Sequence, residues 1–219
     1  MTFDYFEMIV IPMLEGAKIT LLLFAIVILL SIPIGFILTL AVRSRIKPLS
    51  WLVQGFIYVM RGTPLLLQLL FICFGLPLIP VIGEYLVLDR FVAACVGFVL
   101  NYSAYFAEIF RGGLLAIDKG QYEAAKVLGF SRFQTMTKII IPQMIRVALP
   151  AVSNESITLV KDTSLLYAVA VPELLHFAQT AVNRDATIVP YFVAGLIYLV
   201  ITLILTWILK RIERRYRFE

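Results

Sequence analysis

The sequence has little charge, little sulfur and a single histidine, and each shortage removes a class of function. Only 15% of the 219 residues are Asp, Glu, Lys or Arg, against about 25% in an ordinary soluble domain. The one histidine, His176, stands in an outer loop with no second imidazole and no metal-ligand spacing, so no metal centre is expected. The two cysteines, Cys73 and Cys95, fall inside apolar runs and read as small hydrophobes in preference to a disulfide or ligand pair. No G-x-x-x-x-G-K-[ST] stretch occurs, so the chain lacks the loop with which such proteins hold ATP. No nucleophile, base and orienting group stand together in the pattern of a catalyst, and the chain does not read as an enzyme. The opening MTFDYFEMIV carries Asp4 and Glu7 in place of a basic segment, and the apolar run after it is too long for a signal-peptide core.

What the chain has instead is apolar length. Hydrophobic residues make up 61% of it and the mean hydropathy is +0.95. Uncharged runs of about 20 residues, enough for a helix to cross roughly 30 Å of hydrocarbon, recur near Ile19 to Val42, Pro64 to Ile82, Phe91 to Phe110, Leu149 to Val171 and Pro190 to Leu209. The expected fold is all-α: one polytopic membrane domain over residues 1–219 with five transmembrane helices. The second span is open to an earlier start, because Trp51 to Met60 is also apolar and leads into Arg61. Pro33, Pro172 and Pro190 are expected to kink or bound helices.

Basic loops stay cytoplasmic, so the placing of Lys and Arg orients the chain. Arg43, Arg45 and Lys47 follow the first span. Six more, Arg111, Lys119, Lys126, Arg132, Lys138 and Arg146, follow the third, and the tail holds Lys210, Arg211, Arg214, Arg215 and Arg217. Against these, the other side has Lys18, Arg90 and Arg184, with Arg61 and Lys161 in or near the spans. The N-terminus is expected outside and the C-terminus in the cytoplasm. The net charge of +5 is then a topological signal, and a nucleic-acid partner is not expected. The tail KRIERRYRFE reads as an anchor in the lipid bilayer.

The longest cytoplasmic loop, about 111–148, far exceeds the few residues that join two helices and should have structure of its own. Asp118 and Gln121 suit a helix start, Gly129 a left-handed helix end, and Ser131 with Gln134 a capping box that opens a second helix running toward Pro142. Tyr122, Ala125 and Leu128 fall near one face, and Ala124 with Ala125 keep the surface low, so either a partner protein or the chain's own membrane ends could lie there.

Polar residues at membrane depth cost about 2.5 to 3.5 kcal/mol for a charge at a helix centre and mark a pathway or a partner. Asn101, Tyr105 and Glu108 share one face of the third span at i, i+4, i+7, with Ser103 nearby. Glu155, Thr158 and Asp162 follow i, i+3, i+7 in the fourth, flanked by Asn154, Lys161, Thr163 and Ser164. For Ser103, Asn154 and Thr158, hydrogen bonding between packed helices is an equal reading. Counted from Leu149, Asp162 lies about 20 Å into its helix and is the leading candidate for substrate contact. An amino acid needs acceptors for its ammonium, which Asp162, Glu108 and Tyr105 offer, and donors for its carboxylate, which Thr163, Ser164, Asn101 and backbone N–H groups offer. Arg61 reads as the cytoplasmic entrance of the second span, and Lys161 as a partner of Asp162 or a snorkelling side chain.

The string Glu123, Ala124, Ala125, then Gly129, then Ile139, Ile141 and Pro142 resembles the EAA motif of ABC importer permeases, departing only at Ile141, where Leu is usual. RGTPLLLQ (61–68), EIFRGG (108–113), GQYEAA (120–125) and KDTSLL (161–166) extend the resemblance to the polar amino-acid branch, the histidine, glutamine, arginine and cystine permeases. The resemblance implies a type I ABC importer fold in a bacterial cytoplasmic membrane, and import of a polar amino acid driven by ATP and Mg on a separate ATPase. It implies as partners two ATPase subunits, a second permease chain, identical or similar, and an extracytoplasmic amino-acid-binding protein. It makes the loop a coupling helix, in which Glu123 pairs with a basic group, Ala124 and Ala125 permit close approach and Gly129 makes the turn. It places a membrane site near the KDTS segment and the polar part of the third span, in support of Asn101, Glu108 and Asp162. The alternatives are an ion-driven secondary transporter, which leaves the EAA loop unexplained, and a membrane scaffold or sensor whose loop binds a partner without transport.

Overall fold

The computed structural model describes residues 3–216, and among them every regular element is helical. Helix α1 (Phe3–Val42) runs 40 residues, about 60 Å at 1.5 Å per residue, with Pro12 and Pro33 inside it. The apolar run near 19–42 is therefore the second half of a longer rod that already begins at Phe3. In its first half Glu15 and Lys18 pair at i, i+3, 2.7 Å apart, which adds a little to the helix.

Helix α2 (Lys47–Gly62) and helix α3 (Leu65–Leu70) meet at a sharp break. Pro64 has no N–H to donate and pushes Thr63 into an extended backbone (φ −118°, ψ 147°), so the helix stops there. The chain turns by 106° and continues through a π-helical turn (Phe71–Gly75) and a 3₁₀ turn (Leu76–Leu78). The apolar stretch near 64–82 is thus only the second limb of a bent pair whose first limb is α2.

Helix α4 (Arg90–Leu115) starts where the Asp89 carboxylate accepts from the N–H groups of Phe91 and Val92. It is the central post of the fold. Against it lies α1, close enough that a Cβ on Gly35 would stand 2.7 Å from Phe106 Cβ and 2.9 Å from the Ser103 carbonyl oxygen. Thr39 Oγ1 donates to the Ala107 carbonyl (2.8 Å) and Ser31 Oγ to the Val99 carbonyl (3.3 Å) across the same seam.

The loop after α4 carries α5 (Lys119–Val127), which Asp118 caps by accepting from Gly120 N–H at 2.6 Å. Gly129 takes φ +76°, and Phe130 N–H returns to the Ala125 carbonyl, which closes the helix. Ser131 and Gln134 form the expected capping box and open α6 (Arg132–Thr135). The helix it opens does not end at Pro142. A π-helical turn (Met136–Ile140) leads straight into α7 (Ile141–Asp162), because proline in the first turn of a helix forfeits no bond. The rod continues as a 3₁₀ helix to Val169, bends by 54° after the left-handed Ala170, and gives α8 (Leu174–Asp185). His176, expected in a loop, lies in the first turn of α8. Helix α9 (Val189–Tyr216) is the last; Arg217 lies outside the described residues.

Among the described residues three helices, α1, α4 and α9, are long and apolar enough to cross a membrane alone, and the number is five if each bent pair is one span, by length and composition. Large apolar side chains such as Leu29 (73% exposed) and Trp207 point outward from α1 and α9, as lipid-facing residues do. The main core joins α1, α4 and α7 around Phe98, Tyr102, Phe106, Met144 and Leu159.

Candidate functional site

Breaking α2 at Pro64 leaves the last carbonyls of α2 without helical donors, and polar side chains supply what is missing. Thr63 Oγ1 donates to the Val59 carbonyl at 2.8 Å. Met60 carbonyl accepts from Asn101 Nδ2 of α4 (3.0 Å) and from Gln68 Nε2 of α3 (2.9 Å). Asn101 also donates to Gln68 Oε1 at 3.0 Å, and Gln68 to Thr63 Oγ1 at 2.7 Å. Both amide hydrogens of Asn101 are spent on holding the bend against α4, so its role as a donor to substrate carboxylate gives way to that of a clamp.

The bend opens a cavity of about 520 Å³ lined by Arg61, Gly62, Thr63, Pro64, Leu65, Asn101, Tyr102, Tyr105, Glu155, Thr158 and Asp162. Both sequence stripes meet here, Asn101 and Tyr105 from α4 facing Glu155, Thr158 and Asp162 from α7. Tyr102 Oη donates to Asp162 Oδ2 at 2.7 Å. The phenol is fixed by its ring, which is 1% exposed and stacked on Phe98. Arg61 lies in the last turn of α2. It sits at the break, its guanidinium 5.5 Å from the centre of the Tyr105 ring and 3.8 Å from Glu108 Oε2. The cavity therefore presents one guanidinium from α2 and two carboxyl side chains from α7.

Other candidates lie elsewhere. Glu108 does not line the cavity; it is held by Arg111 and faces Arg61 from behind. Ser103 is buried with its backbone against Gly35, since residues two apart in a helix stand about 200° around it and Asn101 faces the cavity. Thr163 and Ser164 do not line it either: past Asp162 the backbone tightens to 3₁₀, and their hydroxyls turn back to the carbonyls of Val160 (2.6 Å) and Lys161 (2.8 Å). Sequence reasoning did not single out Tyr102 or Gln68. The T-P step at 63–64 was the available signal, because a break there strands carbonyls that need donors.

On α5, Glu123 and Ala124 are exposed, but Ala125 is only 1% exposed and packs inward, so Ala125 is not a surface for a partner. Tyr122, three residues earlier, packs on the main core, so that face of α5 belongs to the chain itself. Val127 (87% exposed), Leu128 (73%) and Phe133 (77%) stand out around Gly129. An exposed apolar trio beside an exposed acid is what a docking surface needs.

Comparison with known proteins agrees with this architecture. The chain is 38% identical over 205 residues to an arginine transport system permease protein of Bacillus subtilis (strain 168), covering 93% of this chain and 92% of that one. It is 38% identical over 209 residues to a glutamine transport system permease protein of Escherichia coli (strain K12), covering 94% of each. A crystal structure of an amino-acid ABC transporter with histidines superposes with TM-score 0.87 at 34% identity, over 98% of this chain and all of that one. The MetNI methionine transporter, at 18% identity and TM-score 0.72, shares the fold. Residues 31–218 match the family model of the binding-protein-dependent transport system inner membrane component, and the chain belongs to that family of ABC permeases, whose ATP hydrolysis is done by a separate subunit.

Proposed function

We propose that the chain is the permease of a bacterial importer for polar amino acids and that the cavity at the α2–α3 break is where the substrate pauses. The observation that carries this reading is the opposition of Arg61 to Glu155 and Asp162 across one cavity of about 520 Å³. A zwitterion has a carboxylate for the guanidinium and an ammonium for the carboxyl groups. The net charge of the lining tilts the site toward a dipolar or cationic amino acid over an acidic one. Relatives named for arginine, cystine and glutamine support the same substrate class.

The chain crosses the cytoplasmic membrane five times, each bent pair counting as one span, with its N-terminus outside and its C-terminus in the cytoplasm. It pairs with a second permease chain and sits on two ATPase subunits that bind ATP and Mg, while an extracytoplasmic binding protein delivers the amino acid. The ATPase grips α5 and the apolar residues around Gly129. From Arg132 to Asp162 the chain is one continuous rod about 45 Å long. A displacement at the α5 end is thus delivered to Glu155 and Asp162 at the cavity, which is how motor and gate are coupled. No relative supports an ion-driven transporter or a scaffold.

Reconstitution with the cognate ATPase and binding protein tests the reading. A polar amino acid should stimulate ATP hydrolysis and accumulate in proteoliposomes. Asp162→Asn should abolish the stimulation while the ATPase still co-purifies. Stimulation by no amino acid, or normal uptake by that variant, would refute the site.

A further inference from the structure

A second charged concavity lies where α9 leaves the apolar zone. It is a cleft of about 470 Å³ between α7 and α9, lined by Arg146, Leu149, Pro150, Lys210, Glu213 and Arg214. Three cations and one carboxylate give the lining a net charge of +2. From Val189 to Lys210 the helix climbs about 30 Å, the thickness of the hydrocarbon, so the cations stand at head-group depth. Trp207, 64% exposed, carries the Arg211 guanidinium 5.6 Å over its ring, the pairing of aromatic and basic groups expected at a membrane interface. Leu149 and Pro150 give the cleft an apolar wall beneath its charged rim.

We infer that this cleft binds an anionic phospholipid, the phosphate held by Lys210 and Arg214, and the acyl chains laid along Leu149 and Pro150. Basic pockets between transmembrane helices hold anionic head groups in this way. A soluble phosphate would use the cations and leave the apolar wall idle. Glu213 in the lining also disfavours a doubly charged phosphate monoester relative to the single charge of a phosphodiester. The site has the volume of a ligand site, which runs from about 300 to 1,000 Å³. The inference rests on the chain spanning a membrane, and on neither the amino acid carried nor which end faces the cytoplasm.

The permease–ATPase complex, purified in a neutral detergent, should be titrated with phosphatidylglycerol, phosphatidylcholine and inorganic phosphate, and bound lipid read by native mass spectrometry. Phosphatidylglycerol should bind and phosphatidylcholine should not. The pair Lys210→Gln and Arg214→Gln should weaken binding about thirtyfold, from the contribution of each basic residue near an anionic lipid. Arg211→Gln with Arg215→Gln, outside the lining, should leave it nearly unchanged. Equal loss in both double variants would overturn the site in favour of diffuse charge attraction. Equal binding of phosphatidylcholine, or displacement of the lipid by inorganic phosphate, would overturn the lipid as occupant. Because none of these readouts involves transport, a failed amino-acid assay leaves the lipid result standing, and the reverse holds.

Discussion

Tyr102 shows how much one side chain decides at the smallest scale. Its ring is held by the core while its hydroxyl donates to Asp162, so a carboxyl group on α7 is aimed by a residue on α4. Hydrogen bonds to charged groups contribute about 1.5 to 3 kcal/mol. Tyr102→Phe is therefore expected to lower amino-acid-stimulated ATPase activity about tenfold or more, with the amount of complex unchanged. Unchanged stimulation in that variant would show that Asp162 needs no orienting partner. Asn101 was legible as a polar residue on the right helical face, but its work was not. Helical spacing says which way a side chain points and nothing about a carbonyl stranded 41 residues earlier in the chain.

At the scale of elements, the turn at Gly129 is the clearest case of local sequence deciding local structure. Its φ of +76° is in the left-handed region, and a Cβ there would meet nothing within 4 Å. The cost of substitution is thus purely conformational, about 1 to 2 kcal/mol for a residue with an ordinary side chain and less for Asn. Gly129→Asn is expected to keep ATPase co-purification, and Gly129→Val to reduce it severalfold, as a pull-down would measure. Equal binding by both would separate the turn from docking. Other elements resisted a local reading. Pro142 looked like the end of a helix and sits in the first turn of the next, because a missing N–H is costly only where a carbonyl waits for it. Ala125 looked like a low surface for a partner and is packed inward, since the choice between two faces of α5 is made by what lies beneath it.

At the scale of the whole molecule, two helix breaks shape the fold. The chain bends by 106° at Pro64 and by 54° after Ala170, and the cavity with its polar lining lies at the first of these bends. The proposed orientation follows from charge and is open to direct measurement. A cysteine placed at Val127→Cys should react with a membrane-impermeant maleimide only from the cytoplasmic side. One at Ile188→Cys, 65% exposed at the start of α9, should react only from outside. The opposite pattern would invert the chain and with it the proposed ATPase contact.

Apolar run length, basic loop bias, the Asp118 and Ser131 caps, the Gly129 turn and the two polar stripes could all be read from the sequence by itself. Each depends on residues within a few positions of one another, where period and backbone preference act. The tertiary structure alone decided that the stripes share one cavity, that Arg61 stands inside it, that Tyr102 aims Asp162, and that Ser103 and Thr163 are turned away. Those outcomes depend on a 106° bend and on close packing of α1 against α4, which bring together groups tens of residues apart that no local pattern relates.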